Sequence, residues 1–558
     1  MALRTLVKVW KSKRSDEFVA AAQHSRGFPH PQRGPRARRA TAFFIGLLVV
    51  ACTQGGGIDQ SGSERTDRVF LAGLQEISDL YIEPIELGPL AINGLDGLKT
   101  VDPAVRVSRD GSVIRIVGER GIIRELPAPE SRNIAGWAGV MTTAVDAART
   151  GSTKVSTAAP EAVYDAIFSS LVGGLDRFSR YSAADVAREQ RATRDGFGGI
   201  GVTINVEDGI VRVLSVIDGG PAAGGGVKVD DKIVAIDGVA TGAMVQRDVV
   251  QRLRGRIDTA VVVSLSREGV AAPISITLVR SRIVVPTIKV EHVGPFGHIR
   301  ILSFNQQTGR KLTEALEEMM AERGNQLRGI ILDLRGNPGG LLDQAVRVAD
   351  AFLTDGPIIA TRGRHPASNQ SFEAGSRDLS RGVPLVVLIN GASASAAEIV
   401  AAALQDRGRA VVVGSASFGK GTVQTVMRLP NDGELTLTWA RLLSPQGYLL
   451  HEHGVIPTVC TNGLENDVAS LRQGLQREAK ALAGARTRAK LDDAGWKTLR
   501  ESCTGQSKEA EVDVKLAERL LADPALYSRA LRLSMVAVGA TRQAASITER
   551  PRREATRP

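Results

Sequence analysis

The chain has 558 residues, of which 43% are hydrophobic and 23% are charged. At about 100–200 residues per domain this length allows three to five domains, and the composition excludes a wholly disordered chain. Three cysteines are too few for a disulfide framework or a cysteine-rich zinc module.

The formal net charge of +11 is concentrated at the two ends of the chain. Residues 1–40 hold ten Lys or Arg and two acidic residues, and residues 542–558 hold five Arg and two Glu. The middle is therefore near neutral, and aromatic residues make up only 4% of the chain. Nucleic-acid binding would need a basic groove with interleaved aromatic side chains, so we expect no nucleic-acid partner.

The first 51 residues have the pattern of an export signal. Basic residues precede a short apolar run, Ala42–Ala51, which is too short to span a bilayer and is followed by Cys52. The run Val49–Cys52 resembles a bacterial lipobox, which implies that Cys52 becomes the lipidated N-terminus and attaches the protein to a membrane on the periplasmic side. Ordinary cleavage near Ala51 is the alternative. We predict a signal peptide with lipobox over 1–51.

Export also bears on the other two cysteines. In an oxidising compartment Cys460 and Cys503 can form a disulfide, whereas two unrelated buried thiols are the other interpretation.

A Gly-, Ser- and Gln-rich stretch predicts a flexible tether over 52–65. A mixed, mainly helical N-terminal domain is expected over 66–195. Apolar spacing and turn residues predict helices and one hairpin there: helices over 69–81, 134–149 and 160–175, and a hairpin over 105–124.

Short strands with glycine turns follow over 196–282. The order of motifs, Gly198-Gly199-Ile200-Gly201, then Gly220-Pro221-Ala222-Ala223, then Ile236-Asp237-Gly238, resembles a PDZ domain. In such a domain a glycine-rich turn exposes backbone N–H groups that bind a peptide carboxylate, and the next strand accepts the peptide as an added strand. The resemblance implies that Gly198, Gly199, Ile200 and Gly201 form the carboxylate site.

Strands and helices alternate over 283–462, which predicts an α/β core. The pattern gives strands at 329–334, 385–389, 410–414 and 434–440, and helices at 341–353 and 396–404. A long polar loop is expected over 361–384, and residues 463–558 read as a helical extension with a basic tail.

Three segments of this core can carry chemistry. Ser395 follows a buried strand and precedes a helix, where the N–H of Ala396 can stabilise an oxyanion. Lys420 is the single lysine between apolar strands and glycines; burial by Phe418 and Val423 would lower its pKa and let it act as a general base. The paired Gly339 and Gly340 after a buried strand offer a second oxyanion donor.

Together these segments resemble the carboxyl-terminal-processing, or tail-specific, serine peptidases, over about residues 160–460. The resemblance implies a crotonase-like α/β core with a Ser-Lys dyad of Ser395 and Lys420, and it implies that Gln424 orients the lysine. The segments Leu175–Tyr181, Ile301–Phe304 and His453–Pro457 support it. Ala397 and Thr458 depart from the family pattern without touching the dyad.

Other interpretations of these motifs are weaker. The run from Gly414 to Lys420 resembles a phosphate-binding loop, but Gly421 replaces the hydroxyl residue that would bind magnesium. His451 and His453 alternate on a predicted strand, which allows a metal site or a Ser-His pair, but no further ligand cluster is near. We expect no metal and no other cofactor.

The sequence thus predicts a multidomain α/β protein that is an exported serine endopeptidase acting on protein C-terminal tails. Its expected partners are proteins or peptides with accessible C-termini, a membrane through the lipid anchor, and a candidate adaptor or regulator. The alternatives are an inactive peptidase fold that presents a PDZ surface and a hydrolase of non-peptide substrates.

Overall fold

The computed structural model describes residues 60–465, 467–482, 491–504 and 511–536. The predicted signal peptide, Cys52 and the basic tail lie outside these residues. The described chain forms two compact units, one of residues 60–184 with 426–437 and the other of 185–425 with 438–536. No helix in the described ranges is long and apolar enough to cross a bilayer.

The N-terminal unit is mainly helical, as predicted, with one small antiparallel sheet. Its helices are α1 (Gln60–Leu80), α2 (Leu87–Asp96), α3 (Ile134–Gly151), α4 (Thr153–Thr157) and α5 (Pro160–Gly173). Its strands are β1 (Arg106–Asp110), β2 (Val113–Gly118), β3 (Gly121–Pro127) and β4 (Arg180–Ser182). Trp137, Phe70 and Phe168 are fully buried in its core.

Three expectations for this unit need correction. Helix α1 begins at Gln60, so the predicted tether over 52–65 is helical from that residue onward. The predicted hairpin has a third strand, because the chain turns again at Gly121. Residues 426–437, which we had placed in the peptidase core, contribute Leu429, Leu435 and Leu437 to this unit's apolar core. An apolar cluster of this kind is invisible in sequence because its parts are far apart in the chain.

The second unit begins with α6 (Ala184–Asp195) and the predicted PDZ region. The strands there are β5 (Phe197–Gly199), β6 (Val202–Glu207), β7 (Ile210–Val216), β8 (Lys232–Ile236), β9 (Val239–Ala240), β10 (Ala260–Ser266), β11 (Ile274–Val279) and β12 (Ser281–Ile283). The helices are α7 (Pro221–Gly224) and α8 (Gln246–Leu253). The sheet order is β11-β10-β8-β7-β6, which leaves β6 at an edge.

The α/β core contains two sheets. One has the order β13-β14-β15-β18-β19-β22, with parallel pairing from β14 onward. The other has the order β17-β16-β21-β20. The strands are β13 (Ile288–Val293), β14 (Phe296–Ile301), β15 (Gly329–Asp333), β16 (Pro357–Arg362), β17 (Gln370–Glu373), β18 (Leu385–Ile389), β19 (Ala410–Gly414), β20 (Thr422–Arg428), β21 (Glu434–Leu443) and β22 (Val459–Cys460).

Helices complete this core and the extension after it. They are α9 (Thr308–Arg323), α10 (Leu342–Asp350), α11 (Ala396–Asp406), α12 (Val468–Leu482), α13 (Asp493–Glu501), α14 (Val512–Ala522) and α15 (Pro524–Val536). Strands β15, β18 and β19 are buried at every residue, as their nearly all-apolar runs predict. The predicted loop over 361–384 is wrong in part, since it contains β17, which pairs with β16.

Candidate active site

Ser395 lies at a sharp turn between β18 and α11. Its backbone has φ 54° and ψ −114°, a conformation that costs a residue other than glycine about 1–3 kcal/mol. The hydroxyl Oγ is buried and faces the backbone N–H of Glu398 in a capping-box arrangement, but it makes no hydrogen bond among the described residues. The turn thus holds an unused hydroxyl beside the positive end of a helix dipole, as a nucleophile requires.

The Glu398 side chain connects this turn to the segment that carries Lys420. It is fully buried in the first turn of α11. Its Oε2 accepts hydrogen bonds from the backbone N–H of Ser395 at 2.7 Å and of Lys420 at 2.9 Å. Its Oε1 accepts from the Gly419 N–H at 2.6 Å and from the Ser417 hydroxyl. Because both N–H groups donate to the same oxygen, the backbone nitrogens of Ser395 and Lys420 lie no further apart than the sum of 2.7 Å and 2.9 Å.

The protonation of Glu398 reflects two opposed effects. Burial raises the pKa of this carboxyl above its ordinary value, while the four hydrogen bonds it accepts oppose the rise. Three of the four partners are backbone N–H groups, which can only donate. Both oxygens of the Glu398 side chain therefore act as acceptors in all four hydrogen bonds. Through these bonds Glu398 holds the Ser395 turn and the Lys420 segment together.

Lys420 and Gln424 are both buried, with Lys420 8% exposed. The Gln424 amide donates from Nε2 to the hydroxyls of Thr422 and Thr438, and its Oε1 is buried without a partner among the described residues. A buried acceptor of this kind suits the orienting role expected of Gln424. Of the two residues expected to bury Lys420, Val423 is itself buried, whereas Phe418 is 45% exposed.

The candidate oxyanion loop packs against the Ser395 turn. A methyl group added at Gly339 would lie 2.8 Å from the Ser395 Cβ and 3.1 Å from the Ala396 nitrogen. The Gly339 N–H donates to Asn337 Oδ1 at 2.8 Å, so in this arrangement it is already engaged. The N–H groups of Gly340 and Ala396 have no acceptor in the part of the chain that the structure describes, and they remain the candidate donors.

Two asparagines that the sequence analysis missed hold these turns together. The Asn337 carbonyl accepts from the Ala394 N–H at 2.9 Å, and its Nδ2 donates to Ile301 O at 2.9 Å. The Asn390 Oδ1 accepts from the Gly336 N–H at 2.9 Å. Both asparagines stand inside the predicted site motifs, but their contacts join distant segments and no local pattern reveals them.

Arg335 of the same loop is a structural residue here. Its guanidinium forms an ion pair with Asp333 at 2.8 Å and with Asp513 of α14 at 3.1 Å. Burial alone would raise the pKa of Asp333, but the His298 ring at 3.6 Å and the hydrogen bonds from the Arg335 guanidinium hold it well below the ordinary range.

The two histidines considered as alternative bases have other contacts. The His453 ring stacks on Trp496 of α13 with centroids 4.8 Å apart, and its Nδ1 lies 2.8 Å from the Leu449 carbonyl oxygen. His451 Nε2 lies 3.9 Å from the Glu452 carboxylate. Within the described ranges no group of three or more His, Cys, Asp or Glu side chains is placed to hold a metal ion.

The candidate carboxylate turn of the PDZ region is divided between a strand and a loop. Gly198 and Gly199 belong to β5, which pairs with β12. Ile200 and Gly201 form the turn into the edge strand β6, and Gly201 has φ +82°. The N–H groups nearest the edge strand are therefore those after Gly199.

The two cysteines outside the lipobox are bonded to each other. Cys460 ends β22 and Cys503 follows α13, with Sγ atoms 2.06 Å and Cα atoms 5.8 Å apart. The bond joins the peptidase core to the C-terminal extension.

Comparisons with known proteins agree with this architecture. Residues 295–461 match the model of peptidase family S41, and residues 198–278 match a PDZ domain model. A carboxy-terminal-processing protease of Bartonella bacilliformis is 41% identical over 287 residues, which cover 51% of this chain and 66% of that protein. The carboxy-terminal processing protease CtpA of Bacillus subtilis is 34% identical over 286 residues, 51% of this chain and 60% of its own length. The chain thus spans less than two thirds of these two relatives.

A carboxyl-terminal-processing protease of a Synechocystis species is 32% identical over 305 residues, which cover 53% of this chain and 70% of that protein. The solved structure of a photosystem II D1 C-terminal processing protease is 27% identical and covers 60% of this chain and 92% of its own, with a TM-score of 0.34. The chain belongs to peptidase family S41, with the carboxyl-terminal-processing proteases and their PDZ domain.

Proposed function

We propose that the protein is an exported serine endopeptidase that cleaves unstructured protein C-terminal tails with a Ser395–Lys420 dyad. The observation that carries the proposal is the buried, unpartnered Ser395 hydroxyl on a strained turn that shares the Glu398 carboxylate with the Lys420 backbone. Family membership and the PDZ domain support peptides as the substrate.

In the proposed reaction Lys420 Nζ takes the proton of the Ser395 hydroxyl as Oγ attacks the scissile carbonyl. The N–H groups of Ala396 and Gly340 stabilise the oxyanion. Lys420 then gives the proton to the leaving amine, and water hydrolyses the acyl-enzyme. Gln424 Oε1, a buried acceptor without a partner among the described residues, is the group that we assign to orient the lysine amine during the reaction.

The PDZ domain would hold the substrate's terminal carboxylate at the turn after Gly199, with the tail added as a strand beside β6. The position of β6 at the sheet edge supports this mode of binding. Strand addition fixes backbone rather than side chains, so the domain would select a free, extended C-terminus more strongly than a sequence.

Export and attachment to a membrane through lipidated Cys52, on the periplasmic side, are part of the proposal. The basic and apolar pattern of residues 1–51 and the Val49–Cys52 run support them. The Cys460–Cys503 bond adds support, because disulfides persist mainly in oxidising compartments.

The dyad is tested on an unstructured protein substrate whose fragments are read by mass spectrometry. We expect Lys420→Arg to abolish cleavage while the protein stays folded, because a guanidinium cannot deprotonate in proteins. Ser395→Ala should abolish it too, and the double variant should lose no more than either single one. Lys497→Ala, at an exposed site, serves as the control. Near-normal cleavage by Lys420→Arg would show that another group is the base.

The Glu398 contacts are tested by Glu398→Gln. The amide replaces one accepting oxygen by a donor and leaves two buried hydrogen-bond donors opposite it, each costing about 1–3 kcal/mol. We expect a lower free energy of unfolding and a lower kcat. Glu452→Gln is the control, because the Glu452 carboxylate is 75% exposed although its backbone N–H donates to the Gly419 carbonyl at 2.9 Å. If the two variants have the same stability and kcat, Glu398 does not hold the site.

Tail recognition is tested with the Ser395→Ala protein, which binds peptides without cleaving them. We expect amidation of a peptide's C-terminus to weaken its binding by about 1.5–3 kcal/mol, the range for hydrogen bonds to charged groups. Calorimetry with matched acid and amide peptides measures this loss. If the acid and amide peptides bind with equal affinity, the PDZ domain does not recognise the terminal carboxylate.

Lipidation is tested by Cys52→Ser in the expressing bacterium. Without the thiol no lipid can be attached, so we expect the protein to leave the membrane fraction on cell fractionation. Gln54→Ala provides a neighbouring substitution that should stay membrane-bound. A Cys52→Ser protein that remains with the membrane would contradict the lipid anchor.

A further inference from the structure

The segment 491–504 lies beyond residues 295–461, which match the peptidase family, yet it contacts the segment that carries Lys420. This segment consists of α13 and the turn that ends at Thr504. Trp496 of α13 packs against both His453 and Tyr448, with ring centroids 4.8 Å apart in each case. The helix therefore covers the chain that runs beside the lysine segment.

Arg500 at the end of α13 reaches two backbone carbonyls near Lys420. Its Nη2 donates to the Phe418 carbonyl at 2.9 Å and its Nη1 to the His453 carbonyl at 3.1 Å. A guanidinium holds its donors in a rigid plane, so these two bonds fix the two carbonyls relative to each other.

The guanidinium is also close to the Glu398 hydrogen bonds. A methyl group added at Gly454 would lie 2.8 Å from Arg500 Nη1, 2.7 Å from Ser417 Oγ and 3.2 Å from Glu398 Oε1. Three functional groups thus surround one glycine. Movement of the arginine would leave space beside the hydroxyl and the carboxylate that hold the Lys420 backbone.

Cys503, three residues after Arg500, holds the end of α13 in position. Its carbonyl accepts from the Ala416 N–H at 3.0 Å, and its sulfur is bonded to Cys460. Cys460 pairs with Gly414 across β22 and β19, the strand that leads into the lysine segment. The disulfide therefore attaches the end of α13 at the point where residues 414–420 leave the sheet.

We propose that Arg500 is a positioning residue for Lys420, held in place by the Cys460–Cys503 disulfide, so that peptidase activity depends on the oxidised cysteine pair. The inference rests on the proposed function of Lys420 as the base. Arg500 itself touches neither substrate nor reacting atoms; it acts through the Phe418 and His453 carbonyls.

Arg500→Ala, Arg500→Lys and the control Lys497→Ala are compared in the full chain. We expect Arg500→Ala to lower kcat by about tenfold to a hundredfold, as small displacements of a catalytic group do. KM and the affinity of the PDZ domain for a tail peptide should stay within about twofold of the control, since neither involves this segment directly. Arg500→Lys should recover only part of kcat, because an ammonium lacks the planar pair of donors.

Hydrogen exchange separates this inference from the proposed function. In Arg500→Ala the amides of Gly419 and Lys420, which donate to Glu398, should exchange faster than in the control. If Arg500→Ala speeds the exchange of these amides but the wild-type protein cleaves no tails, the proposed function is wrong, while Arg500 still positions the Lys420 segment. Unchanged exchange and kcat in an active protein would overturn the positioning role. A lower melting temperature with unchanged kcat and unchanged exchange would also overturn it, because the arginine would then only stabilise the fold.

The disulfide is tested with dithiothreitol. The dithiol breaks the S–S bond and closes to its own cyclic disulfide, so that each cysteine sulfur gains one electron and one proton. We expect kcat of the wild type to fall and the Lys420 amide to exchange faster, and both to recover on reoxidation. The variant Cys460→Ser with Cys503→Ser should be slow from the start and insensitive to dithiothreitol. Full activity of the reduced wild type, with both thiols shown to be free, would overturn the redox dependence.

Discussion

The buried Glu398 carboxylate is the interaction on which the candidate site depends. A carboxylate that is removed from water is stable only when hydrogen bonds replace its hydration. Here the replacements come from the Ser395 turn and from the Ser417–Lys420 segment, which are separate in the chain. The carboxylate thus couples the candidate nucleophile and base, since neither segment can move without leaving a buried donor or acceptor unpaired.

The same coupling explains how Ser395 keeps an unfavourable backbone conformation. Its N–H is held by Glu398 and its carbonyl accepts from the Ile399 N–H at 3.0 Å. The Ala394 N–H before it is held by the Asn337 carbonyl. Strain persists where surrounding contacts over-determine a residue, and three elements meet at this turn.

The C-terminal extension is part of the peptidase unit rather than an appendage to it. Helices α14 and α15 bury Leu516, Leu520 and Tyr527 against strands β15, β18 and β19. A parallel sheet needs cover on both faces, and these helices supply it on one face. The extension also makes two polar contacts: Asp513 of α14 with Arg335, and Arg500 of α13 with the Phe418 carbonyl. Each contact reaches a different segment of the candidate site.

The sequence by itself determined the element types and the motifs. The nearly all-apolar runs predict β15, β18 and β19 nearly to the residue, because a strand buried on both faces admits few polar positions. The exception is Asp333 at the end of β15, which is paired with Arg335. Ser395, Lys420 and Gln424 stand out because small-residue turns and a lone buried lysine are local features. Because these motifs resemble those of the peptidase family, they also predicted the fold of the whole α/β core.

Only the tertiary structure decided the contacts between distant segments. Hydrogen bonds from Ser417 to Glu398, from Ala394 to Asn337 and from Arg500 to the Phe418 carbonyl join residues 19 to 82 positions apart, and no period in a sequence encodes such a distance. The same holds for residues 426–437, whose leucines complete the N-terminal core. Side-chain periodicity specifies which face of an element is buried, whereas the neighbour against which it is buried is settled by packing in three dimensions.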